Sequence, residues 1–396
     1  MPKNIVVCCD GTGNQYGDAN SNVIKLYSTL LVNSAQAAYY HPGIGTMGAP
    51  TASNKVEEFF KKVNGLAFGA GLLDNVADAY RYLMNTYREG DEIYLFGFSR
   101  GAFTVRALSG MLYMFGLLCP GNEGMIPYVV RMFARLSRAQ EGSAPTLCLE
   151  HQFEKQGTGT DEATRLANGF KNTFSRKDPD FKVRFVGVWD TVESMGFLWD
   201  PVVLSYQAQN PLYRTMRHAL AIDEHRSFFE PTLWGDPLQT PDGVQDVKQV
   251  WFAGVHSDVG GSYPEAESGL SKITLEWMLL QAMNSGLHVD PDRAAKVLSD
   301  PPPDPRAPIH ESLKGTWELL ELLFRKDDRE HTAHASWRRP GLGKRRVIPP
   351  GSTVHETVWQ RIASVPGYRP RNLPPKDQLR VEPRVALAEN SRRTAA

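Results

Sequence analysis

EIYLFGFSRGAFTVRALSGMLYMF, residues 92–115, joins a β-rich apolar run to an amphipathic one through Gly97-Phe98-Ser99-Arg100-Gly101. Glu92 to Gly97 reads as a strand, and Ala102 to Phe115 as a helix with Val105, Leu108, Leu112 and Phe115 on one side. A serine between glycines at such a junction is G-x-S-x-G, where strand turns so sharply into helix that the hydroxyl is lifted clear of the sheet. Glycines flank it because bulk on either side would clash in so tight a turn. The pattern alone has little force, since a chain this rich in glycine and serine holds roughly 0.17 matches by chance. Its setting discriminates: a strand directly before and a helix directly after. The bland alternative is an ordinary turn with a capping serine.

The same alternation extends along the chain. Asn4 to Cys9 reads as a buried strand feeding the turn cluster Asp10-Gly11-Thr12-Gly13-Asn14, with a helix starting near Ser21. Gln36 to His41 is a second strand, closed by Pro42-Gly43-Ile44-Gly45, and Leu72 to Arg88 has helical spacing that Gly90 stops. Further strands are expected at Val183 to Trp189 and Val247 to Val255, with a helix of roughly three turns over Pro211 to Ile222 between them. A last clear helix covers Ser271 to Ser285. Strands alternating with helices imply an α/β fold of α/β-hydrolase type: a mostly parallel sheet covered by helices on both faces. The expected organisation is one catalytic domain over 1–376. Within it, 119–182 is an inserted cap region and 286–376 an irregular proline-rich part packed on the rest. A disordered tail is expected over 377–396.

Composition narrows the partners. The 396 residues carry 44 Lys plus Arg against 44 Asp plus Glu, so there is no overall bias towards nucleic acid or an anionic surface. The apolar stretch Met111 to Leu118 is far short of the roughly 20 residues that span a bilayer, so no transmembrane segment is expected, and only transient membrane contact is allowed for. The opening MPKNIVVCCDGTG lacks the long apolar core of a secretory signal, so a cytoplasmic location is expected. Cys8, Cys9, Cys119 and Cys148 show no paired spacing and read as reduced thiols. Cys8 and Cys9, being neighbours on a strand, should face opposite sides of the sheet.

A serine hydroxyl needs a base and the base an orienting carboxylate, in the chain order serine, acid, histidine for this fold. His256 follows a strand and opens the loop Ser257-Asp258-Val259-Gly260-Gly261, at the sheet edge where α/β proteins bind ligands. His218 is taken as helical, and His225, His331, His334 and His355 as structural or solvated. Asp190 ends its strand between Ser99 and His256 and is the preferred acid. Asp258 competes but would more naturally bond its own turn, and Asp223 is weaker still. The oxyanion donors are expected to be the N–H of Arg100 and a second from Gly11 or Thr12. Asp10 is a candidate for substrate binding, or else merely organises its turn.

With these residues in view, the chain resembles a bacterial and fungal family of α/β-hydrolase domains that includes the catalytic domain of type VI secretion phospholipase effectors. The resemblance rests on CDGTGN (9–14), GIGT (43–46), GFSRGAFTVRALSG (97–110) and VGVWDTV (186–192). It continues through HALAIDEHRSFFEPTLW (218–234), WFAGVHSDVGGSYPE (251–265), VHETVWQR (354–361) and YRPRNLP (368–374). It implies a Ser-Asp-His triad carried onto Ser99, Asp190 and His256, and adds delivery by a secretion system. The leading expectation is therefore a serine esterase or phospholipase acting on an ester or lipid, with no cofactor and no metal. Two other readings stand beside it: a metal-dependent phosphohydrolase holding a divalent ion with Asp10, Asp190, His256 and Asp258, and a non-catalytic binding module on the same fold.

Overall fold

The computed structural model describes residues 2–11, 14, 16–43, 66–141, 159–178, 181–192, 209–226, 229–313, 324–325, 339–340 and 343–387. Eight strands form one sheet: β1 (Asn4–Cys9), β2 (Gln36–His41), β3 (Glu92–Phe98), β4 (Val183–Trp189), β5 (Tyr213–Ala221), β6 (Asp246–Phe252), β7 (Thr353–His355) and β8 (Arg380–Glu382). Their spatial order is β8-β7-β6-β5-β4-β3-β1-β2, and every pairing in it is parallel. A parallel sheet exposes neither face, and both are covered here. On one side α2 (Leu66–Thr86) and α3 (Arg100–Phe115) pack on Ile5, Val7, Leu95, Val186 and Val188; on the other α1 (Asn22–Thr29) and α7 (Gly269–Asn284) pack on Val6, Tyr94, Phe96, Phe185 and Trp189. Alternation along β1 sends Cys9 into the first core and Cys8 into the second, as period-two geometry requires. Cys148 lies outside the described residues.

The described part of the 119–182 insertion is helical: α4 (Ile126–Glu141) and α5 (Gly159–Phe174). Their inward residues Val129, Phe133, Ala167 and Phe170 extend the first core outwards from α3, beside Leu112 and Phe115. No helix among the described residues is long and apolar enough to cross a membrane.

Three expectations are corrected. Pro211 to Ile222 is not a helix: Tyr213–Ala221 is β5, a central strand paired to β4 and β6. Buried on both faces, such a strand loses polar alternation, and Tyr213, Met216 and Leu220 then mimic helical spacing. Its polar residues find partners inside the fold. Arg217 bonds Gln281 and Asp246, and His218 Nε2 accepts the Thr191 N–H at 3.2 Å, so His218 is a buried strand residue. Nor is 286–376 merely irregular, since it supplies α8 (Pro291–Val297), β7 and α9 (Glu356–Ser364). The segment expected to be a disordered tail from 377 supplies β8, held in register on β7, and Leu387 is buried; 388–396 lie outside the described residues.

The glycines of the elbow are dictated by contact. A Cβ on Gly101 would lie 2.0 Å from the Cys9 carbonyl oxygen, and one on Gly97 2.5 Å from the Gly101 carbonyl oxygen. Backbone cannot retreat there without moving β1. Gly101→Ala is expected to destabilise the fold by about 3 kcal/mol, read as a lower urea midpoint at unchanged m-value; an unaltered midpoint would show that the helix start can shift freely.

Candidate active site

Ser99 sits between β3 and α3 at φ 56°, ψ −121°. A serine pays a steric cost at positive φ, and such strain persists only where surrounding structure imposes it. Here the Ser99 N–H donates to the Trp189 carbonyl (3.1 Å) and its carbonyl accepts from Phe103 N–H (3.2 Å). The side chain makes no capping bond to α3, so the capping-serine alternative is not realised. Among the described residues only Asp190 (φ 41°) and Ser262 (φ 84°) share positive φ without being glycine.

Asp190 lies one strand over, at the carboxyl end of β4, and is fully buried. Its N–H donates to the Ala219 carbonyl at 2.8 Å. Its oxygens are shared by three partners: Oδ1 accepts from Ala221 N–H (2.9 Å) and Arg346 Nη1 (2.6 Å), Oδ2 from Arg346 Nη2 (2.9 Å) and His256 Nδ1 (2.6 Å). Burial opposes the charge, but the Arg346 guanidinium and His256 outweigh it and hold the carboxyl well below the usual carboxylate range.

His256 opens the short helix α6 (His256–Gly260) beyond β6. With Nδ1–H given to Asp190, the neutral ring carries its lone pair on Nε2. Burial lowers its pKa, against the opposing hydrogen bond and charge of Asp190. The ring is held between Phe98, with centroids 4.6 Å apart, and Phe229, which meets it edge-on at 4.8 Å. Phe98 precedes Ser99 and fits because residue 260 is glycine, where a Cβ would fall 1.9 Å from Phe98 Cε2. The structure thus joins His256 to Asp190 by hydrogen bond and to the Ser99 elbow by ring packing. No hydrogen bond links Ser99 Oγ to His256; in this class of site that bond often tightens only with substrate bound.

The remaining candidates separate. Asp258 accepts from Val255 N–H (3.0 Å) and bonds His310 Nδ1 (2.6 Å), and Asp223 accepts from Gly254 N–H and Tyr368 OH, each at 2.8 Å, so neither serves His256. Asp10 is held by contacts within the fold. Buried and accepting from Gly11 N–H (2.7 Å), Asn14 Nδ2 (2.7 Å), Ser21 Oγ (2.5 Å) and Tyr40 OH (2.9 Å), it organises the loop after β1. Gly11 lies against the elbow, where a Cβ would stand 3.3 Å from Ser99 Cβ, and its N–H donates to Asp10 Oδ1 at 2.7 Å. Thr12 lies outside the described residues. Arg100 is the first residue of α3 and directly follows Ser99. Asp10, Asp190, His256 and Asp258 do not form a cation cage, and no group of three or more His, Cys, Asp or Glu among the described residues is arranged to hold a metal ion.

Two charged residues at the site escaped the sequence reading. Glu224 is fully buried and ties the loop after β5 to α6: Oε2 accepts the His256 N–H (3.1 Å), and its oxygens bond Arg226 and Ser312. Burial is outweighed by Arg226, with Arg346 and His256 adding to it, and the Glu224 pKa falls to about 2. It stands in the quoted stretch 218–234 and was available as a signal; Arg346 gave none, being one of a run of bases in Lys344-Arg345-Arg346.

Fold and site together define an α/β protein with serine, aspartate and histidine at the carboxyl ends of parallel strands. The chain belongs to the family described as type VI secretion system, phospholipase effector Tle1-like, catalytic domain, whose model matches residues 3–281. It is similar to the uncharacterized protein YEL023C of Saccharomyces cerevisiae, 34% identical over 236 residues, 58% of this chain and 32% of the yeast protein; the match thus spans about a third of that relative. A crystal structure of an uncharacterized protein from Pseudomonas aeruginosa shares 16% identity at a TM-score of 0.41, covering 76% of this chain and 48% of that one.

Proposed function

We propose that the chain hydrolyses carboxylic esters of lipids, phospholipids foremost, through an acyl-enzyme on Ser99. The observation that carries this reading is the 2.6 Å bond from His256 Nδ1 to a buried, ionised Asp190, beside a serine held at positive φ between strand and helix. Family membership supports the lipid class of substrate.

In this mechanism Ser99 Oγ attacks the acyl carbonyl while its proton passes to His256 Nε2. The imidazolium that forms is stabilised by Asp190, which stays ionised. The Arg100 N–H receives the oxyanion, with a second donor, Gly11 or Thr12, from the loop after β1. The tetrahedral intermediate collapses with cleavage of the ester C–O bond, and the leaving alkoxide takes the proton from Nε2. Water then enters, gives its proton to His256, and releases the fatty acid as the proton returns to Ser99.

The test is release of fatty acid from phospholipid vesicles, followed across pH on wild type and His256→Ala. Wild type should release fatty acid and the variant should lose nearly all activity. Because burial lowers the His256 pKa, neutral imidazole persists below the ordinary value near 6.5. The acid limb should therefore fall below that pH. No release from any phospholipid or simple ester, or undiminished release by His256→Ala, would rule the proposal out.

A further inference from the structure

Arg346 reaches the site from far along the chain, 156 residues beyond Asp190 and outside the segment 3–281 matched by the family model. Its side chain is 3% exposed. Both terminal nitrogens grip both Asp190 oxygens, and each makes a second bond: Nη1 to the Ala221 carbonyl (2.9 Å), Nη2 to the Phe229 carbonyl (2.5 Å). One planar group thereby fixes the carboxylate, the end of β5 and the residue whose ring packs against His256. We infer that Arg346 is the positioning residue of this site, clamping Asp190 in the orientation His256 requires and keeping the Asp190–His256 pair ready to accept the Ser99 proton. The inference rests on the Ser99 mechanism proposed above.

Stability alone gives a poor account of this arrangement. A buried ion pair is roughly neutral against apolar residues of similar volume, and the buried Arg346 Nε has no hydrogen-bond partner among the described residues, which adds a cost. What the guanidinium supplies that an apolar side chain cannot is a fixed fork and a permanent positive charge. Around Asp190 and His256 the facing charges are Arg346, Glu224 and Arg226, with His218 on β5 behind them and Glu230 acting on Arg346. Glu224 is neutralised mainly by Arg226, which leaves Arg346 as the principal counter-charge of Asp190. Without it, the aspartate and histidine together bind a proton more readily, whichever atom carries it, and the free base is lost at higher pH.

The experiment uses the full chain and three variants: Arg346→Gln removes charge and fork, Arg346→Lys keeps charge without the fork, and Arg361→Gln removes another buried arginine. Arg361 bonds the Pro305 and Ala307 carbonyls through Nη1, lies over the Tyr368 ring, and serves as the control for lost buried contacts. The readouts are the rate of fluorophosphonate labelling as a function of pH and the titration of the His256 ring by NMR. Arg346→Gln should lower the maximal rate about 10- to 100-fold. Its acid limb and the His256 titration should move up by about one pH unit or more. Arg346→Lys should lose rate while keeping the limb close to wild type, and Arg361→Gln should lower the melting temperature without moving the limb. An Arg346→Gln limb that superimposes on wild type overturns the inference, as does an equal shift in Arg361→Gln. If Arg346→Gln does not fold, Arg346→Lys decides, and an unchanged labelling rate there overturns the clamp. Labelling that survives Ser99→Ala would instead remove the nucleophile assignment; the His256 titration does not depend on Ser99 and still judges Arg346.

Discussion

Ser99→Ala should lower ester hydrolysis by about 10⁵- to 10⁶-fold and abolish covalent labelling by a fluorophosphonate, while the fold persists. In the proposed mechanism the loss is large because the hydroxyl is the group on which the acyl-enzyme forms; the remaining donors can polarise a carbonyl but cannot form the intermediate. Persistence of the fold follows from the local contacts. The Ser99 side chain makes no capping bond, and the turn is held by backbone bonds to Trp189 and Phe103. The companion Ser99→Gly separates chemistry from stability. At φ 56° a glycine relieves the clash that a Cβ suffers, so this variant should be inactive yet more stable by about 1 kcal/mol. The measurements are a labelling gel and a denaturant midpoint. Full labelling of Ser99→Ala moves the nucleophile elsewhere, and a midpoint lowered by Ser99→Gly means that the elbow stores no relievable strain.

Asp190→Asn is the second large effect and acts on activity and stability together. The amide can no longer accept from His256 as a carboxylate and favours the wrong imidazole tautomer, so kcat should fall by about 10⁴-fold. The same change leaves the Arg346 guanidinium buried without a counter-ion, which should cost about 3–5 kcal/mol. Asp190→Asn combined with Arg346→Met removes both charges and should recover much of that stability but none of the activity. The pH dependence has a definite sign. The folded pKa of Asp190 lies below its unfolded value, so its contribution is complete above the unfolded pKa near 3.9 and is lost as the pH falls through the depressed folded value. Asp190→Asn should lack that part of the acid sensitivity. Wild-type kcat in Asp190→Asn, or a double variant no more stable than the single one, would contradict this account.

How much was legible follows from the range of the forces involved. The strand–elbow–helix of 92–115 is local: period-two burial, a tight turn that excludes Cβ atoms, and a helix face all lie within two dozen residues. The strand ends carrying Asp190 and His256 could be read for the same reason. β5 could not, because a strand buried on both faces carries no alternation and its identity depends on the neighbours that pair with it. Asp10 was ambiguous because a carboxylate in a glycine-rich loop has the same sequence signature whether it meets a ligand or closes its own turn. In the structure four donors engage it, one of them Tyr40 on the adjacent strand.

The sequence by itself determined that a parallel α/β sheet would form, that Ser99 would stand between a strand and a helix, and that Asp190 would end one strand and His256 follow another, which stops at Phe252 rather than Val255. It did so because hydrophobic period and turn chemistry are properties of adjacent residues. Only the tertiary structure decided that Arg346 bonds Asp190 and Glu224 accepts the His256 N–H, that Gly11 gives its N–H to Asp10, and that residues 353–382 complete the sheet. Those outcomes hinge on which polar groups remain paired once water is excluded, and such pairing joins side chains as distant in the chain as Asp190 and Arg346, 156 residues apart.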